Sequence, residues 1–309
     1  MRYDAIVVGL GPAGATAAYE LSKRGFDILA FDKQKHPRYK PCGGGLTARV
    51  EKILEPDFKS VVEKTINKVN FTFQGTGDLL AVTDRPLVYM VMRDTFDNFL
   101  VEKARKAGAE IHEQEKVTYV EEKKDSVFVL TEKNSYFADL LIGADGVNSI
   151  VARSTGLKPK RRTALLIEGE VKVKEEAFKK VSDRILFDFG SVPYGYGWIF
   201  SKADHLSLGV GGLKEMIKNL GLYYSGFISD QYLLDEIENE HRFRYTIPIF
   251  NGESKITSLR TMLTGDAAAL VDPFLGDLLC NTQRADSSRS SPGYTEWEYY
   301  NYNLSGMHR

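Results

Sequence analysis

The stretch from Asp4 to Lys33 constrains the fold more than any other part of the sequence. An apolar run of strand length leads directly into three glycines with GxGxxG spacing, Gly9, Gly11 and Gly14. In this pattern the first glycine allows a tight turn, the second lets a pyrophosphate approach the backbone, and the third lets a helix pack close to the strand. The order of strand, glycines and helix predicts a βαβ unit that binds a dinucleotide at the helix N-terminus.

A second apolar strand follows this helix and ends at Asp32, eighteen residues after Gly14. A carboxylate at this position accepts hydrogens from both hydroxyls of a ribose and would repel a 2′-phosphate. The alternative is an ordinary βαβ unit with incidental glycines. The agreement of strand, glycines, helix and terminal acid favours dinucleotide binding.

Composition limits the class of protein. The 309 residues suggest about two domains, and 43% hydrophobic with 27% charged residues is typical of a soluble globular chain. A net charge of -1 and a pI near 6.6 give no reason to expect nucleic acid as a partner. Two cysteines, Cys42 and Cys280, cannot form a disulfide framework, which favours a reducing cytosol. We also expect no signal peptide, no membrane span and no metal site, so a membrane substrate would be reached from the surface.

The middle of the chain alternates between helix and strand patterns. Residues Leu46 to Phe58 predict a helix, and Ile66 to Met92 predict an inserted β-hairpin outside the doubly wound sheet. A clear helix then begins, with Asp94 or Thr95 as its cap. From Ala164 to Gly212 the pattern is again that of strands, which predicts a second sheet.

The predicted fold class is therefore α/β, a Rossmann-like dinucleotide-binding domain with an inserted α+β substrate domain. The predicted dinucleotide-binding domain comprises residues 1–65, 93–158 and 255–276. The predicted substrate-binding domain comprises residues 66–92 and 159–254.

Three further turns are rich in glycine or aspartate. The loop Pro41 to Gly45 contains three successive glycines, so its backbone can pass close to a flat ligand, although a flexible turn is the alternative. A short buried strand delivers Asp145 and Gly146, and a later strand delivers Asp266. Turns of this kind lie at the crevice where open α/β sheets bind ligands.

Three motifs in this order, GLGPAG with Asp32, GADGVNSIVAR and TGDAAALVDPFLG, resemble the FAD-binding set of the flavoprotein group that includes aromatic hydroxylases. Two more, KPCGGGL and GYGWIF, are similar to motifs of the geranylgeranyl reductase family, which saturates isoprenoid double bonds in archaeal lipid and chlorophyll precursors. The resemblance extends from the start of the chain to Gly276. It implies a Rossmann-like FAD-binding domain of the glutathione reductase type.

The resemblance also assigns roles to residues. It places the FAD pyrophosphate at the glycine turn, the adenosine ribose at Asp32, the adenine at Val117 and the ribityl chain at Asp266. Arg93 would reach the phosphate or ribityl region, or else be a surface arginine that caps its helix. The cofactor-binding residues it implies are Gly9, Gly11, Ala13, Gly14, Asp32, Cys42, Gly43, Gly45, Arg93, Val117, Asp145, Gly146, Asp266 and Gly276.

The resemblance places Cys42, Gly43 and Gly45 at the isoalloxazine ring. It implies an apolar substrate tunnel lined by Tyr196, Trp198 and Phe200, although such aromatics are more often ordinary core. The family usually has proline after that phenylalanine, where this chain has Ser201.

The implied reaction is the delivery of a hydride from reduced FAD to one alkene carbon while an acid protonates the other, inside a dry pocket. Cys42 is the predicted catalytic residue, which gives or relays that proton, and the alternative is a small buried thiol. The substrate would be a prenylated lipid or a prenyl diphosphate, and the electrons would come from NAD(P)H or a ferredoxin. The basic run from Lys158 to Arg162 could contact a lipid phosphate or an acidic donor, or form a solvated loop.

Two other functions stay open at this stage. A flavin monooxygenase or halogenase shares the three FAD motifs, and a non-functional FAD-binding relic would explain the C-terminal sequence. Residues 277–309 lose all periodicity, and codons compatible with 277–288 can encode a helix-like sequence when read one base out of frame. We therefore predict a frameshift just after Gly276. The predicted location is cytoplasmic, with contact at the membrane surface.

Overall fold

The computed structural model describes residues 2–231, 233–251 and 255–271. Gly276 and Cys280, and with them the predicted frameshifted tail 277–309, lie outside the described residues. The strands are β1 (Arg2–Val8), β2 (Ile28–Phe31), β3 (Gly45–Thr47), β4 (Lys64–Ile66), β5 (Lys68–Phe73), β6 (Thr76–Val82), β7 (Val88–Met90), β8 (Glu110–His112), β9 (Val117–Glu122), β10 (Val127–Thr131), β11 (Ser135–Gly143), β12 (Arg161–Val173), β13 (Ile185–Phe189), β14 (Gly195–Ser201), β15 (Leu206–Leu213), β16 (Ile237–Phe250) and β17 (Thr261–Leu263). The α-helices are α1 (Pro12–Lys23), α2 (Arg93–Lys106), α3 (Ile150–Ser154), α4 (Glu175–Val181) and α5 (Leu220–Asp230).

The first sheet has the strand order β8-β2-β1-β11-β10-β9, and β17 pairs with β11. β1 is parallel to β2 and β11, β2 is parallel to β8, and β11 is parallel to β17, whereas β9 and β10 add an antiparallel edge. The apolar strand run of the glycine motif forms the centre of this sheet, and α1 and α2 pack on one of its faces through Ala15, Ala18, Phe96 and Leu100. This is the predicted Rossmann-like arrangement.

The second sheet has the order β16-β12-β15-β14-β13-β5-β6 and is antiparallel except for the pairing of β5 with β13. The predicted hairpin therefore joins this sheet and not the first one, as expected. That pairing joins distant parts of the chain, since the Thr72 hydroxyl donates to Asp188 Oδ1 at 2.7 Å across 116 residues. The α/β fold class with a second, mixed unit is confirmed.

The two faces of the second sheet have different neighbours. Side chains alternate between the faces of a strand. On one face Ile167 and Val210 pack against Tyr224 and Phe227 of α5. The opposite face carries the alternate residues of β12, β14 and β15, and it meets the loop of Pro41 to Gly45.

A small third sheet, β3-β7-β4, connects the glycine-rich loop to the second sheet. Met90 pairs with both Gly45 and Lys64, and it packs with Val69 and Ile185 of the second sheet. The predicted domain boundary at residues 65 and 66 falls inside β4. The division into domains stays a prediction.

Two local predictions were wrong. The helix expected from Leu46 to Phe58 is instead the strand β3 followed by two 3-10 turns, Ala48–Lys52 and Pro56–Val61. Pairing with β7 draws the start of the segment into a sheet, and a proline cannot continue a helix from the preceding turn. In α2, Met92 occupies the cap position without a side-chain hydrogen bond, so neither Asp94 nor Thr95 caps the helix.

Candidate functional site

Four parallel strands end at the same edge of the first sheet. Val8 pairs with Phe31 and with Gly143, and Gly143 pairs with Leu263. The turns that follow these strands contain all three glycine-and-aspartate motifs. Because ligands bind outside the carboxyl ends of parallel strands, the edge is a candidate dinucleotide site.

The glycine turn after β1 is packed too closely for side chains. Gly9 has a φ of +94°, and a Cβ there would lie 2.5 Å from the Ala144 carbonyl oxygen. A Cβ on Gly14 would lie 1.9 Å from the Gly9 oxygen. Gly11 differs, because the sole atom within 4 Å of its added Cβ is Nη2 of Arg38, at 3.8 Å. Space above Gly11, at the N-terminus of α1 with no side-chain cap, suits a pyrophosphate.

Asp32 lies beside this turn and is 6% exposed. Its Oδ2 accepts a hydrogen bond from Leu10 N–H at 2.9 Å, which fixes the carboxylate against the glycine turn. Glu115 N–H donates to the Asp32 carbonyl oxygen at 3.0 Å, so the segment leading into Val117 lies alongside. Ala13 is half-buried in the first turn of α1. Asp32 and the segment that leads into Val117 therefore lie next to the glycine turn.

The turn after β11 holds Asp145 and Gly146. Asp145 Oδ2 accepts hydrogen bonds from Ile150 N–H at 2.6 Å and Val151 N–H at 3.3 Å, at the start of α3. Its Oδ1 is buried and has no partner among the described residues. Burial raises the pKa of this carboxyl, although Ser149 and the two amides partly oppose the shift. An unpaired buried oxygen next to Gly9 is a natural acceptor for a ligand hydroxyl.

Asp266 lies in the 3-10 turn Gly265–Ala268, and this turn is held beside the previous one because Thr264 N–H donates to the Gly143 oxygen at 2.9 Å. Oδ2 of Asp266 lies 3.6 Å from Lys40 Nζ and accepts a hydrogen bond from the Tyr245 hydroxyl at 3.4 Å. Oδ1 of Asp266 is buried and has no partner among the described residues. Burial alone would lower the pKa of Lys40, but the Asp266 carboxylate outweighs it and raises that pKa.

A buried charge cluster joins α2 to the loop before Pro41. Arg93 forms a bidentate pair with Asp97, at 2.8 and 2.9 Å, and Arg38 Nη1 lies 3.3 Å from the same fully buried carboxylate. Burial would lower the pKa of Arg93, yet Asp97 and the thiol of Cys42 outweigh it and raise that pKa. Arg93 is therefore not a surface cap. The buried Nε of Arg38, near Gly11, has no partner among the described residues.

The loop Cys42 to Gly45 is held by a lysine from the second sheet. Lys202 is fully buried, and its Nζ donates to the Gly43 oxygen at 2.7 Å and to the Val91 oxygen at 2.8 Å. Gly44 has a φ of +66°, and a Cβ there would be 2.2 Å from the Val91 oxygen and 2.3 Å from Lys202 Nζ. Burial lowers the pKa of Lys202. The loop conformation therefore requires glycine.

The predicted substrate aromatics contact this loop. A Cβ on Gly43 would lie 2.7 Å from the Phe200 ring and 3.5 Å from Nε1 of Trp198. The rings of Tyr196 and Trp198 are 6.1 Å apart, and those of Trp198 and Phe200 are 6.4 Å apart. Trp198 is 5% exposed, and its indole N–H has no acceptor among the described residues. The three aromatics form a continuous apolar row on one strand.

A cavity of about 550 Å³ lies where β12 and β16 meet the loop after Gly146 and the N-terminal end of α5. Its walls combine apolar side chains, Leu165, Leu166 and Ile217, with the cationic side chains Lys218 and Arg244. The three aromatics of β14 are not among its lining residues. The cavity was not predicted from the sequence.

The described residues fit a bound FAD. Arg38 and the glycine turn would hold the pyrophosphate, Asp32 the ribose, and Asp266 the ribityl chain, and the unpaired oxygens of Asp145 and Asp266 would gain partners. A parallel sheet that gathers these turns at one edge, next to a row of aromatic side chains, is typical of flavoprotein oxidoreductases.

The comparisons with known proteins agree with this class. Residues 2–187 match the model of the family described as FAD binding domain. An uncharacterized protein of Methanosarcina barkeri is 31% identical over 276 residues, covering 89% of this chain and 70% of its own length. The digeranylgeranylglycerophospholipid reductase of Methanocaldococcus jannaschii is 29% identical, covering 89% of this chain and 72% of its own length. A crystal structure of a geranylgeranyl bacteriochlorophyll reductase-like protein from Thermoplasma acidophilum has a TM-score of 0.81 and 25% identity, over 91% of this chain and 75% of that one.

The chain belongs to the FAD binding domain family of flavoproteins, and it is similar to proteins named as geranylgeranyl reductases. The resemblance drawn from the motifs is thereby confirmed, as is FAD as the cofactor. Among the described residues, no helix is both long enough and apolar enough to cross a bilayer.

Several residues of the site were not predicted from the sequence. Four of them are Arg38, Lys40, Asp97 and Lys202, none of which was assigned a role from the sequence. The spacing of four between Arg93 and Asp97 on one helix was an available signal for an ion pair. No local pattern indicates Lys202, because both of its acceptors lie more than a hundred residues earlier in the chain.

Proposed function

We propose that the protein saturates carbon-carbon double bonds of geranylgeranyl chains, carried by lipids or by a prenyl diphosphate. The contact of Gly43 and Gly45 with the Phe200 ring carries the proposal, because it joins the predicted flavin loop to an apolar aromatic row. A prenyl chain offers no polar groups, so a row of rings that is buried at Trp198 and half-buried at Tyr196 and Phe200 is suited to hold it.

The residues of the chain bind and orient the reactants. Bound FAD, once reduced, supplies the electron pair that the alkene accepts. The glycine turn and Arg38 would fix the phosphates, and Lys202 would hold the loop of Gly43 and Gly44 in the conformation that lets a flat ring lie against it. The buried indole of Trp198 and the half-buried ring of Phe200 would exclude water from the alkene.

The cavity beside α5 suits the other end of the substrate. Its apolar wall would continue the prenyl site, and Lys218 and Arg244 would attract an anionic phosphate head group. We place the reaction in the cytoplasm, at a membrane surface that contains prenyl lipids. A dissociable donor, NAD(P)H or a ferredoxin, would reduce the flavin.

Mass spectrometry tests the proposal. The FAD-loaded protein, reduced with dithionite without oxygen, is mixed with geranylgeranyl diphosphate, and the product is expected to gain two mass units for each double bond reduced. Bleached flavin should return to its oxidised spectrum with the same stoichiometry. If the anaerobic sample shows no mass gain from hydrogen and a parallel sample supplied with NAD(P)H under air yields a hydroxylated or halogenated product, the monooxygenase or halogenase alternative would be favoured.

A further inference from the structure

Two acidic residues of β12 lie on the face that meets the flavin loop. Glu168 and Glu170 are two residues apart, so both side chains point to the same side of the sheet. Glu168 is paired with Gly209, and Gly209 is paired with Trp198. A Cβ on Gly209 would lie 2.4 Å from Cζ2 of Trp198, so the indole covers the glycine. On this face of the sheet, Glu168 is therefore next to Trp198, which is one of the predicted substrate aromatics.

Glu168 is buried without an ion pair among the described residues. It is 3% exposed, and its Oε1 accepts a hydrogen bond from the Ser207 hydroxyl at 2.8 Å. Burial raises the pKa of this carboxyl to about 7; Glu170 adds to the shift, while Ser207, Lys202 and Arg93 oppose it. A carboxyl with that pKa can hold a proton near neutral pH and also release it.

Polar side chains lie between Glu168 and solvent. Ser207, which donates to Glu168, is paired across the sheet with Glu170. Glu170 Oε2 lies 2.8 Å from His205 Nε2, and His205 Nδ1 lies 2.8 Å from Asp204, whose side chain is 84% exposed. The hydrogen bond to Glu170 raises the pKa of His205. His205 and Glu170 therefore stand between solvent and the buried face, and histidine can exchange protons with water near neutral pH.

The contacts of Cys42 are different. Gly44 N–H donates to its sulfur at 3.4 Å, and Arg93 also hydrogen-bonds to it. Both partners are donors, and neither connects the thiol to a group that gives up a proton near neutral pH. This arrangement orients the thiol against the loop.

We propose that Glu168 is the acid that protonates the alkene, and that His205 and Glu170 restore its proton from solvent. This inference rests on the proposed function. The π bond of the alkene breaks, and one carbon forms a C–H bond with the hydride that reduced FAD supplies. The other carbon forms a C–H bond with the proton of Glu168. The alkene gains two electrons, the flavin is oxidised, and Glu168 stays a carboxylate until a proton arrives through Glu170.

The test is a single turnover of the dithionite-reduced, FAD-loaded protein with geranylgeranyl diphosphate, followed by flavin reoxidation across pH. The ionisable groups that face Glu168 are Glu170, Lys202, Arg93 and Tyr39. In the wild type the rate should fall as pH rises through about 7, because the protonated acid is lost. Glu168→Gln should lower the rate by roughly 100-fold or more at pH 6 and remove this pH dependence.

Three further variants separate a catalytic role from a structural one. Glu170→Gln should move the midpoint of the profile to lower pH, since it removes a negative charge beside Glu168. Glu168→Asp keeps the acid but shortens it, so it should retain the pH dependence at a reduced rate. Cys42→Ala should also retain it. Glu238→Gln, at an exposed position of the same sheet, should match the wild type.

An activity-independent measurement completes the test. Infrared spectra of the FAD-loaded protein without substrate should contain a carboxylic-acid band that titrates near pH 7 and is absent from Glu168→Gln. Persistence of that band in the variant, or wild-type rate and pH profile in Glu168→Gln, would overturn the role of Glu168 and leave the proposed function standing. Absence of any reduction by the wild type would overturn both.

Discussion

Single residues of the site show what a sequence can and cannot reveal about buried charge. Motif spacing predicted cofactor-binding roles for Arg93, Asp32 and Asp266, because each follows a strand or begins a helix at a fixed place. It could not show that Asp97 is fully buried between two arginines, since Arg38 comes from a loop more than fifty residues earlier. Burial depends on which distant segments cover a side chain, and that information is not local.

Glu168 makes stability depend on pH. Its folded-state pKa of about 7 lies above the ordinary value, so between these values the folded state binds more protons than the unfolded state. The favourable contribution is complete below the unfolded pKa and is lost as pH rises through about 7. Glu168→Gln should therefore be more stable than the wild type at pH 8, by on the order of 1 to 3 kcal/mol, with the gain vanishing toward pH 5. Urea unfolding at both pH values measures this, and an equal difference at pH 5 and pH 8 would contradict it.

At the scale of elements, the prediction for the loop from Pro41 to Gly45 was right and the prediction for the segment after it was wrong. The three glycines correctly predicted a backbone that passes close to other groups, because Gly44 needs a left-handed φ. The following segment was assigned to a helix on its apolar spacing. Tertiary pairing of β3 with β7 overrode that local preference, and no periodicity within the segment reports its partner.

Replacing Gly44 by alanine should disrupt the loop. The added Cβ would overlap the Val91 oxygen and Lys202 Nζ, and the φ of +66° is unfavourable for alanine. We expect a loss of at least about 2 kcal/mol in the free energy of unfolding, together with weaker retention of FAD through gel filtration. Gly226→Ala is the matched control, since it lies in α5 with nothing within 4 Å of the new Cβ. Gly44→Ala with the stability and FAD content of the control would refute the close approach.

For the whole molecule, the sequence predicted that three separated turns meet at one ligand, and they do meet. Ala144 adjoins Gly9, and Thr264 is bonded to Gly143. The prediction succeeded because parallel strands deliver their carboxyl ends to a common edge, which is a rule of the fold and needs no knowledge of side-chain contacts. The docking of the second sheet on this edge obeys no such rule, so Lys202 and the cavity beside α5 were missed.

Lys202 joins the second sheet to the loop of Cys42 to Gly45, and its removal should loosen that junction. Lys202→Met leaves the carbonyl oxygens of Gly43 and Val91 buried without a donor. The expected loss is roughly 2 to 4 kcal/mol in urea unfolding, accompanied by lower affinity for FAD. Lys180→Met, at an exposed position of α4, should change stability by less than about 0.5 kcal/mol. Similar stability of the two variants would show that the buried ammonium contributes nothing to the junction.

The parallel pairing of β5 with β13 also governs how the chain acquires its shape. When Thr72 leaves the ribosome, the strand that contains Asp188 has not yet been synthesised, because 116 residues separate the two. Closing so large a loop is slow, and the unpaired strand edges are prone to aggregation until the two strands pair. The hairpin of β5 and β6 must therefore stay exposed through much of translation. The aromatic row of β14 and the loop of Cys42 to Gly45 come into contact late in folding.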